Sequence, residues 1–134
     1  MLVRLILAGI VVAGSVHAQT ADVEDGKEFY GLFCAQCHGD TGQGDGPLSG
    51  VLKIAPPNLT GLAARNGGTF PVQDVAMDID GRDPTVAHGG NMPTFGPFLD
   101  SDRQIPVRLP SGQTMLVGET MADLLAYLET IQTQ

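Results

Sequence analysis

The sequence predicts a single all-α domain in which three helices are separated by long loops. Near both ends of the chain, apolar residues recur at steps of three and four, the spacing that places side chains on one face of a helix. Between these ends the chain is repeatedly interrupted by glycine and proline, with 18 Gly and 9 Pro among 134 residues. The length suits one domain, and 43% hydrophobic residues are enough to exclude intrinsic disorder.

The two terminal helices carry the clearest patterns. A first helix is predicted from about Asp22 to Phe33, since acidic residues crowd its first turn, where the helix dipole favours negative charge. A last helix is predicted to begin at Thr120, which can cap it together with Asp123 three residues later. Its apolar stripe consists of Met121, Leu124, Leu125, Leu128 and Ile131.

Two shorter elements are predicted between the terminal helices. Pro71 near the start and Gly81 past the end fit a middle helix that ends at Asp80. A small β-hairpin is predicted where residues 107–109 and 114–116 flank a turn sequence that contains Pro, Ser and Gly. The remainder is expected to be loop. A domain with so much loop needs a group in its interior around which the loops can pack.

Residues 1–18 have the plan of a secretory signal peptide. Arg4 supplies a positive charge, residues 5–14 form an apolar run, and the segment ends on the small residue Ala18. The run is short for a membrane span, which needs about 20 residues, and an uncleaved anchor is the alternative. We therefore expect a mature domain of residues 19–134 that is exported, to the periplasm if the source is a Gram-negative bacterium, and whose cysteines meet an oxidising compartment.

The composition excludes two further classes of protein. With 7 Lys+Arg against 15 Asp+Glu the formal charge is −8, and the clustered basic residues of a nucleic-acid-binding surface are missing. Two cysteines are too few for a scaffold of several disulfides. Removal of the signal peptide takes away Arg4 and no acidic residue, which leaves 6 basic and 15 acidic residues and a charge of −9. Such a charge steers encounters with basic surfaces, or serves solubility alone.

The strongest motif is Cys34-Ala35-Gln36-Cys37-His38. Two cysteines three residues apart, followed at once by histidine, are the attachment signature of c-type haem. The thiols add to the two vinyl groups of the haem, and the imidazole of the next residue then lies within reach of the iron. The sequence has no second cysteine pair to complete a four-ligand zinc site. The alternative is a lone disulfide or a thioredoxin-like redox pair, which lacks its usual strand-then-helix setting here.

On these residues the chain resembles the class I cytochromes c of the monohaem bacterial kind. Gly26 and Tyr30 lie eight and four residues before Cys34, as in the N-terminal helix of the family. The Leu-Leu-Ala-Tyr-Leu segment that begins at Leu124 is similar to its C-terminal helix. The resemblance covers nearly all of the chain after the signal peptide. It implies helices and loops wrapped around one covalently bound haem c, with Gly26 and Tyr30 packed against Leu124 and Tyr127.

The resemblance also implies a second axial ligand in a Met-Pro dipeptide, which Met92 and Pro93 supply. Met92 follows two glycines and precedes this proline, a loop context that presents a thioether to iron. His88 is the alternative ligand. The remaining methionines of the mature chain are expected to be packing residues: Met77, Met115 and Met121. With His38 and Met92 both bound, the iron has no open site, which favours electron transfer over catalysis.

Residues around the haem are predicted from weaker signals. In the family, a proline carbonyl after the motif accepts the other N–H of the proximal imidazole. Pro57 and Pro47 are the two candidates: Pro57 stands in the Pro-x-Leu context of the family, whereas Pro47 directly precedes Leu48, and Pro57 is favoured. Arg65 is assigned to a haem propionate, with a solvated loop arginine as the alternative. Phe95 and Phe98 are expected to pack near the ring or in the core.

The resemblance implies an electron carrier and not an enzyme, with a dehydrogenase or quinol-oxidising complex as donor and an oxidase or reductase as acceptor. The partner is expected to dock through a basic surface, and no nucleic acid and no stable membrane span are expected. Two alternatives remain: a haem-bearing subunit of a larger periplasmic redox enzyme, and a five-coordinate haem protein that binds a small ligand. Residues 99–119, with Arg103 and Arg108, are an insertion relative to the smallest family members, either a docking element or a passive addition.

Overall fold

The computed structural model describes residues 20–82 and 92–133. The predicted signal peptide, its cleavage site and His88 lie outside the described residues. The described residues form helices, one 3₁₀ turn and a two-stranded sheet. In chain order these are α1 (Val23–Phe33), α2 (Ala35–His38), the 3₁₀ turn (Ser49–Val51), α3 (Leu62–Arg65), α4 (Val72–Asp80), α5 (Gly96–Leu99), β1 (Gln104–Arg108), β2 (Thr114–Gly118) and α6 (Glu119–Thr130).

Helix α1 starts where the sequence predicts it. Asp22 is its N-cap, and Asp22 Oδ1 accepts hydrogen bonds from the backbone N–H groups of Glu24 (2.9 Å) and Asp25 (3.3 Å). Because the first amides of a helix have no partner within it, this cap stabilises the helix start. The helix ends at Phe33, so the haem-attachment motif begins at the next residue, Cys34.

The crossing of α1 and α6 forms the centre of the core, as the resemblance to class I cytochromes c implies. Gly26 lies at the crossing, where a β-carbon would overlap the carbonyl oxygen of Asp123. The ring centroids of Tyr30 and Tyr127 lie 5.2 Å apart, with an interplanar angle of 53°. Leu124 is fully buried beside them. Glycine is needed at position 26 because the two backbones approach too closely for any side chain.

The prediction that Thr120 caps the last helix is wrong. Helix α6 begins at Glu119, and its N-cap is Gly118, which has no side chain to offer a hydrogen bond. Strand β2 leads directly into the helix, and a β-carbon on Gly118 would overlap the carbonyl oxygen of Leu99. The close packing of the chain at this junction therefore excludes a side-chain cap.

Asp123 has a different role from the predicted capping partner. Its carboxylate is buried at the crossing and accepts a hydrogen bond of 2.7 Å from the backbone N–H of Asp22. Burial raises the pKa of Asp123, the hydrogen bond from Asp22 opposes this shift, and the charges of Glu119 and Asp25 add to it. The carboxylate thereby ties the start of α1 to α6.

Helix α4 confirms the predicted middle helix. It starts at Val72, directly after Pro71, and is closed by Gly81, whose N–H donates to the carbonyl oxygen of Met77 at 3.0 Å. Gly81 has a φ of 65°, in the left-handed region where glycine is favoured at the end of a helix.

The predicted hairpin is present, with strands longer than predicted. β1 and β2 pair antiparallel, in a register that places Gln104 opposite Gly118 and Arg108 opposite Thr114. Alternate residues of the two strands turn towards the protein interior. These are Ile105, Val107, Met115 and Val117.

Four short elements were not predicted: α2, the 3₁₀ turn, α3 and α5. Each is three or four residues long, which is too short to show a periodic pattern. The core lies among α1, α4 and α6 and includes Leu99 from α5. In residues 20–82 and 92–133, no helix is long and apolar enough to cross a membrane.

Candidate haem site

The Cys34–His38 motif folds as one helical turn directly after α1. The backbone N–H of Cys34 donates to the carbonyl oxygen of Tyr30 at 2.8 Å, and that of His38 donates to the carbonyl oxygen of Cys34 at 2.9 Å. This turn brings the two sulfur atoms and the imidazole to a single cavity, which Cys34, Cys37 and His38 all line.

The loop that follows the motif supports α2 from the outside. The N–H of Gly44 donates to the carbonyl oxygen of His38 at 2.8 Å, and the N–H of Gly46 donates to that of Cys37 at 3.2 Å. These bonds satisfy carbonyl groups that the end of a helix leaves without partners. At Gly46 a β-carbon would lie 2.5 Å from the carbonyl oxygen of Ala35, so the loop could not approach α2 this closely with a side chain there.

The imidazole of His38 is buried and held in one orientation. Its Nδ1 lies 3.2 Å from the carbonyl oxygen of Pro57, and the residue is 8% exposed. Because a carbonyl only accepts hydrogen bonds, this contact places the proton on Nδ1 and leaves the lone pair on Nε2. Burial lowers the pKa of His38 against the opposing effect of this hydrogen bond, which favours the neutral ring that binds metals. Pro47 does not line the cavity.

The cavity beside the motif has a volume of about 400 Å³. This is the size range of cofactor pockets. Its wall is mostly apolar, which suits a flat macrocycle and keeps water away from it. In the part of the chain that the structure describes, no cluster of three or more His, Cys, Asp or Glu side chains could hold a metal ion by itself. Two cysteines and a histidine at the edge of a mostly apolar cavity fit iron bound within a haem. The apolar wall includes Leu52, Leu59, Leu62, Val75, Ile79 and Leu128.

Met92 lines the same cavity and is 38% exposed. No other methionine in the described residues lines it. Met121 is buried in α6, Met115 packs against the core from the hairpin, and Met77 is half-buried on α4, outside the core cluster. The structure thus brings the attachment motif and one thioether to the same space.

The structure places the three other residues predicted near the haem in different surroundings. Phe95 lines the cavity. Phe98 is 77% exposed on α5, so the prediction that it packs near the ring or in the core is wrong. Arg65 does not line the cavity, and its Nη2 donates to the carbonyl oxygen of Asn58 at 2.8 Å. A pairing of Arg65 with a propionate stays a prediction.

The environment of the cysteines disfavours thiol–disulfide chemistry. Burial and the neighbouring Cys37 raise the pKa of Cys34 to about 11. Redox-active cysteine pairs instead have a lowered pKa, because the thiolate is the nucleophile. The motif also follows a helix and not a strand, unlike the thioredoxin-like arrangement.

Sequence reasoning missed two polar groups of this site. The hydroxyl of Tyr30 donates to the carbonyl oxygen of Gly39 at 2.7 Å and so stabilises the turn after His38. The position of this tyrosine before the motif was a signal for packing, but not for this hydrogen bond. Asp78 on α4 lines the cavity, and partial desolvation there together with the charge of Asp74 raises its pKa. Nothing in the sequence separates Asp78 from the other acidic residues of this helix.

The fold is also found in a solved structure. A chain of the Kuenenia stuttgartiensis reducing HAO-like protein complex superposes with a TM-score of 0.54 at 23% sequence identity. The match covers 87% of this chain and 46% of that chain, so this protein spans less than half of the neighbour's length. At this identity the likeness concerns the fold alone.

The sequence comparisons define the family. No curated protein sequence matches the chain. The family described as cytochrome c matches residues 23–132, from the first residue of α1 to just beyond α6. This family implies a covalently bound haem c and haem-based electron transfer, in agreement with the attachment motif and the cavity. The chain belongs to the cytochrome c family.

Proposed function

We propose that the protein is a class I monohaem cytochrome c that carries single electrons in the periplasm. Haem c, when bound, supplies reversible one-electron Fe(III)/Fe(II) chemistry. Cys34 and Cys37 would bind its vinyl groups, and His38 and Met92 would be its axial ligands. The observation that carries this proposal is that all four side chains line one apolar cavity.

The groups around the cavity have separate tasks in this proposal. The carbonyl of Pro57 keeps the proton of His38 on Nδ1, so that Nε2 is available to the iron. The thioether of Met92 favours the reduced state and raises the reduction potential. Because both axial positions are then taken, no substrate or small ligand has an open site on the iron. This favours a carrier over an enzyme or a five-coordinate ligand-binding protein.

Optical spectra of the purified protein test the axial ligands. We expect a covalent c-type haemochrome, low-spin bands in both oxidation states and the weak far-red sulfur-to-iron band in the oxidised state. The variant Met92→Ala should lose the far-red band and bind carbon monoxide when reduced. Met77→Leu is the matched control, because Met77 is half-buried on α4 away from the cavity wall, and it should keep the band.

Other spectral outcomes point to the rival functions. A far-red band that persists in Met92→Ala would contradict ligation by Met92. A low-spin wild-type protein without this band would favour His88 as the second ligand. High-spin spectra that respond to carbon monoxide in the wild-type protein would favour the ligand-binding protein. Protein without haem, from a host able to attach it, would leave Cys34 and Cys37 as a redox pair.

Residues 1–18 support the periplasmic location, because they have the composition of a signal peptide. Export also suits a member of the cytochrome c family, because such proteins typically lie outside the cytoplasm. We expect the exported protein to begin at Gln19. Mass spectrometry of the protein from the periplasmic fraction measures this, and an intact N-terminus would favour the uncleaved anchor.

The acidity of the chain supports a redox partner with a basic docking surface. Among residues 20–82 and 92–133, three basic side chains are paired with carboxylates: Lys27 with Glu24, Arg82 with Asp80 and Asp100, and Arg103 with Glu119. This pairing leaves most of the negative charge uncompensated. The rate of electron exchange with a basic partner should therefore fall as salt concentration rises.

A subunit of a larger redox enzyme is the second candidate function. The structural neighbour is part of a reducing HAO-like protein complex, and this chain is similar to 46% of one of its chains. Isolation under native conditions separates the two possibilities. A complex of defined stoichiometry would favour the subunit, and a monomeric haem protein would favour the free carrier.

A further inference from the structure

Arg82 joins two elements that flank Met92 in the sequence. Its Nη2 lies 2.5 Å from Asp80 Oδ2 and its Nε lies 2.8 Å from Asp80 Oδ1. The same guanidinium reaches Asp100, with Nη1 at 2.6 Å from Oδ2 and Nη2 at 3.1 Å from Oδ1. Arg82 is therefore held by two bidentate contacts, the geometry in which arginine pairs most specifically with carboxylates.

Both carboxylates belong to anchored elements. Asp80 is the last residue of α4, whose Ile79 is buried and lines the haem cavity. Asp100 directly follows α5, whose last residue, Leu99, is buried in the core. The guanidinium hydrogen bonds lower the pKa of Asp80, so its carboxylate is charged at neutral pH. The ion pairs thus connect the end of α4 to the end of α5.

The same two stretches of chain also contact each other through the backbone. The N–H of Phe95 donates to the carbonyl oxygen of Ile79 at 3.1 Å. A β-carbon on Gly81 would lie 3.2 Å from the α-carbon of Thr94, and one on Gly96 would lie 2.6 Å from Nε of Arg82. Arg82 therefore lies directly against the chain that follows Met92.

We propose that Arg82 is a positioning residue that holds Met92 at the haem cavity by clamping the end of α4 to the end of α5 through Asp80 and Asp100. This inference rests on the proposed ligation by Met92. The rival explanation is a surface ion pair with no effect on the haem site, because isolated exposed pairs contribute little to stability. The two explanations predict different results when the clamp is removed. A positioning role predicts that Met92 is displaced more easily from the iron, whereas a surface ion pair predicts no change at the haem.

Binding of imidazole to the oxidised holoprotein measures how readily Met92 is displaced. Imidazole must compete with the thioether, so its apparent affinity rises with the fraction of molecules in which Met92 is released. In Arg82→Gln we expect the affinity to rise about three- to tenfold. In Asp100→Asn we expect a smaller rise in the same direction, because the contacts with Asp80 remain.

Arg103→Gln is the matched control. Arg103 pairs with Glu119 at 2.7 Å at the junction of the hairpin and α6, and its side chain is 51% exposed against 48% for Arg82. Arg103→Gln changes the net charge as Arg82→Gln does but leaves the contacts of Arg82 intact. We therefore expect its imidazole affinity to equal that of the wild type. Arg82→Gln and Asp100→Asn change the charge in opposite directions. An effect of charge alone would therefore act in opposite directions in the two variants, for example on their reduction potentials. Loss of the clamp instead raises the imidazole affinity of both variants.

Salt gives an independent readout on the unmodified protein. Because the clamp is exposed, sodium chloride should screen it, so that imidazole affinity of the wild type rises towards that of Arg82→Gln. The affinity of Arg82→Gln itself should depend less on salt. If both clamp variants bind imidazole as Arg103→Gln does while the wild type shows its far-red band, the clamp is overturned and the proposed function stands. If the wild type lacks the band, ligation by Met92 is overturned, and the positioning role with it.

Discussion

The two sides of the haem cavity are built by different means. On the side of His38, the ring is buried, its Nδ1 contacts the carbonyl of Pro57, and the loop after α2 bonds to the motif's backbone. On the side of Met92, the side chain is 38% exposed, and the chain around it is joined by the exposed contacts of Arg82. The side of the attachment motif is part of the core, whereas the side of Met92 lies closer to the surface.

This difference determines how each side responds to salt and to substitution. Backbone packing and buried hydrogen bonds respond little to salt, whereas exposed ion pairs weaken as ionic strength rises. We therefore expect defects on the His38 side to appear as lost stability. Defects on the Met92 side should appear in the spectrum and in ligand binding, with smaller changes in stability.

Substitution of Gly26 by alanine is expected to have the largest effect. The added β-carbon would overlap the carbonyl oxygen of Asp123, so α1 and α6 must move apart. We expect the free energy of unfolding to fall by about 3 kcal/mol. Urea denaturation of the holoprotein measures this.

Gly31→Ala is the control for Gly26→Ala. Gly31 lies on the same helix, and no atom lies within 4 Å of the position that its β-carbon would take. Alanine should leave stability unchanged or raise it by up to about 1 kcal/mol, because of its higher helix propensity. Equal stability of the two variants would contradict the close crossing of α1 and α6.

Substitutions of Asp123 are expected to have an intermediate effect. Asp123→Ala removes the acceptor for the Asp22 N–H and should cost about 2 kcal/mol. Asp123→Asn keeps an acceptor and removes a buried charge, so it should be at least as stable as the wild type at pH 7. Both variants can be compared by urea denaturation.

The pH dependence of stability gives a second test of Asp123. Its pKa is raised by burial above the ordinary aspartate value of 3.8, so the folded state binds this proton more tightly than the unfolded state does. The contribution of Asp123 to stability therefore falls as the pH rises from 3.8 through the folded-state pKa. Relative to Asp123→Asn, the wild type should lose stability across this range. Parallel pH profiles for the two proteins would contradict the prediction.

Gly81→Ala is expected to have the smallest effect on stability and to act on the Met92 side. Its φ of 65° should cost an alanine about 1 kcal/mol, and the β-carbon would press on Thr94, two residues after Met92. We expect a weaker far-red band in the oxidised spectrum.

Gly112→Ala, at the hairpin turn, is the control for Gly81→Ala. The φ of Gly112 is 85°, and no atom lies within 4 Å of the position that its β-carbon would take. Gly112→Ala should lose a similar amount of stability and keep the far-red band. An identical band in Gly81→Ala and Gly112→Ala would contradict the difference between the His38 side and the Met92 side of the cavity.

The long helices were predictable from local patterns, and the short ones were not. Asp22 and the acidic first turn indicate α1, and Pro71 and Gly81 delimit α4. Helix α5 begins with Gly-Pro, which reads as loop. It exists because Leu99 is buried against the core. The start of α6 was predicted at Thr120 because a capping residue is a local signal, whereas the packing of Gly118 on Leu99 is not local.

Local patterns in the chain were enough to specify the attachment motif, its position after a helix and the three long helices, because spacing, capping and periodicity are properties of neighbouring residues. Tertiary packing was needed to place Met92 and the carbonyl of Pro57, both already favoured by the sequence, at the cavity of His38, and to bring Arg82 between Asp80 and Asp100. Such contacts join residues that are far apart in the chain. They depend on how closely α1, α4, α5 and α6 pack, and no local pattern encodes that distance.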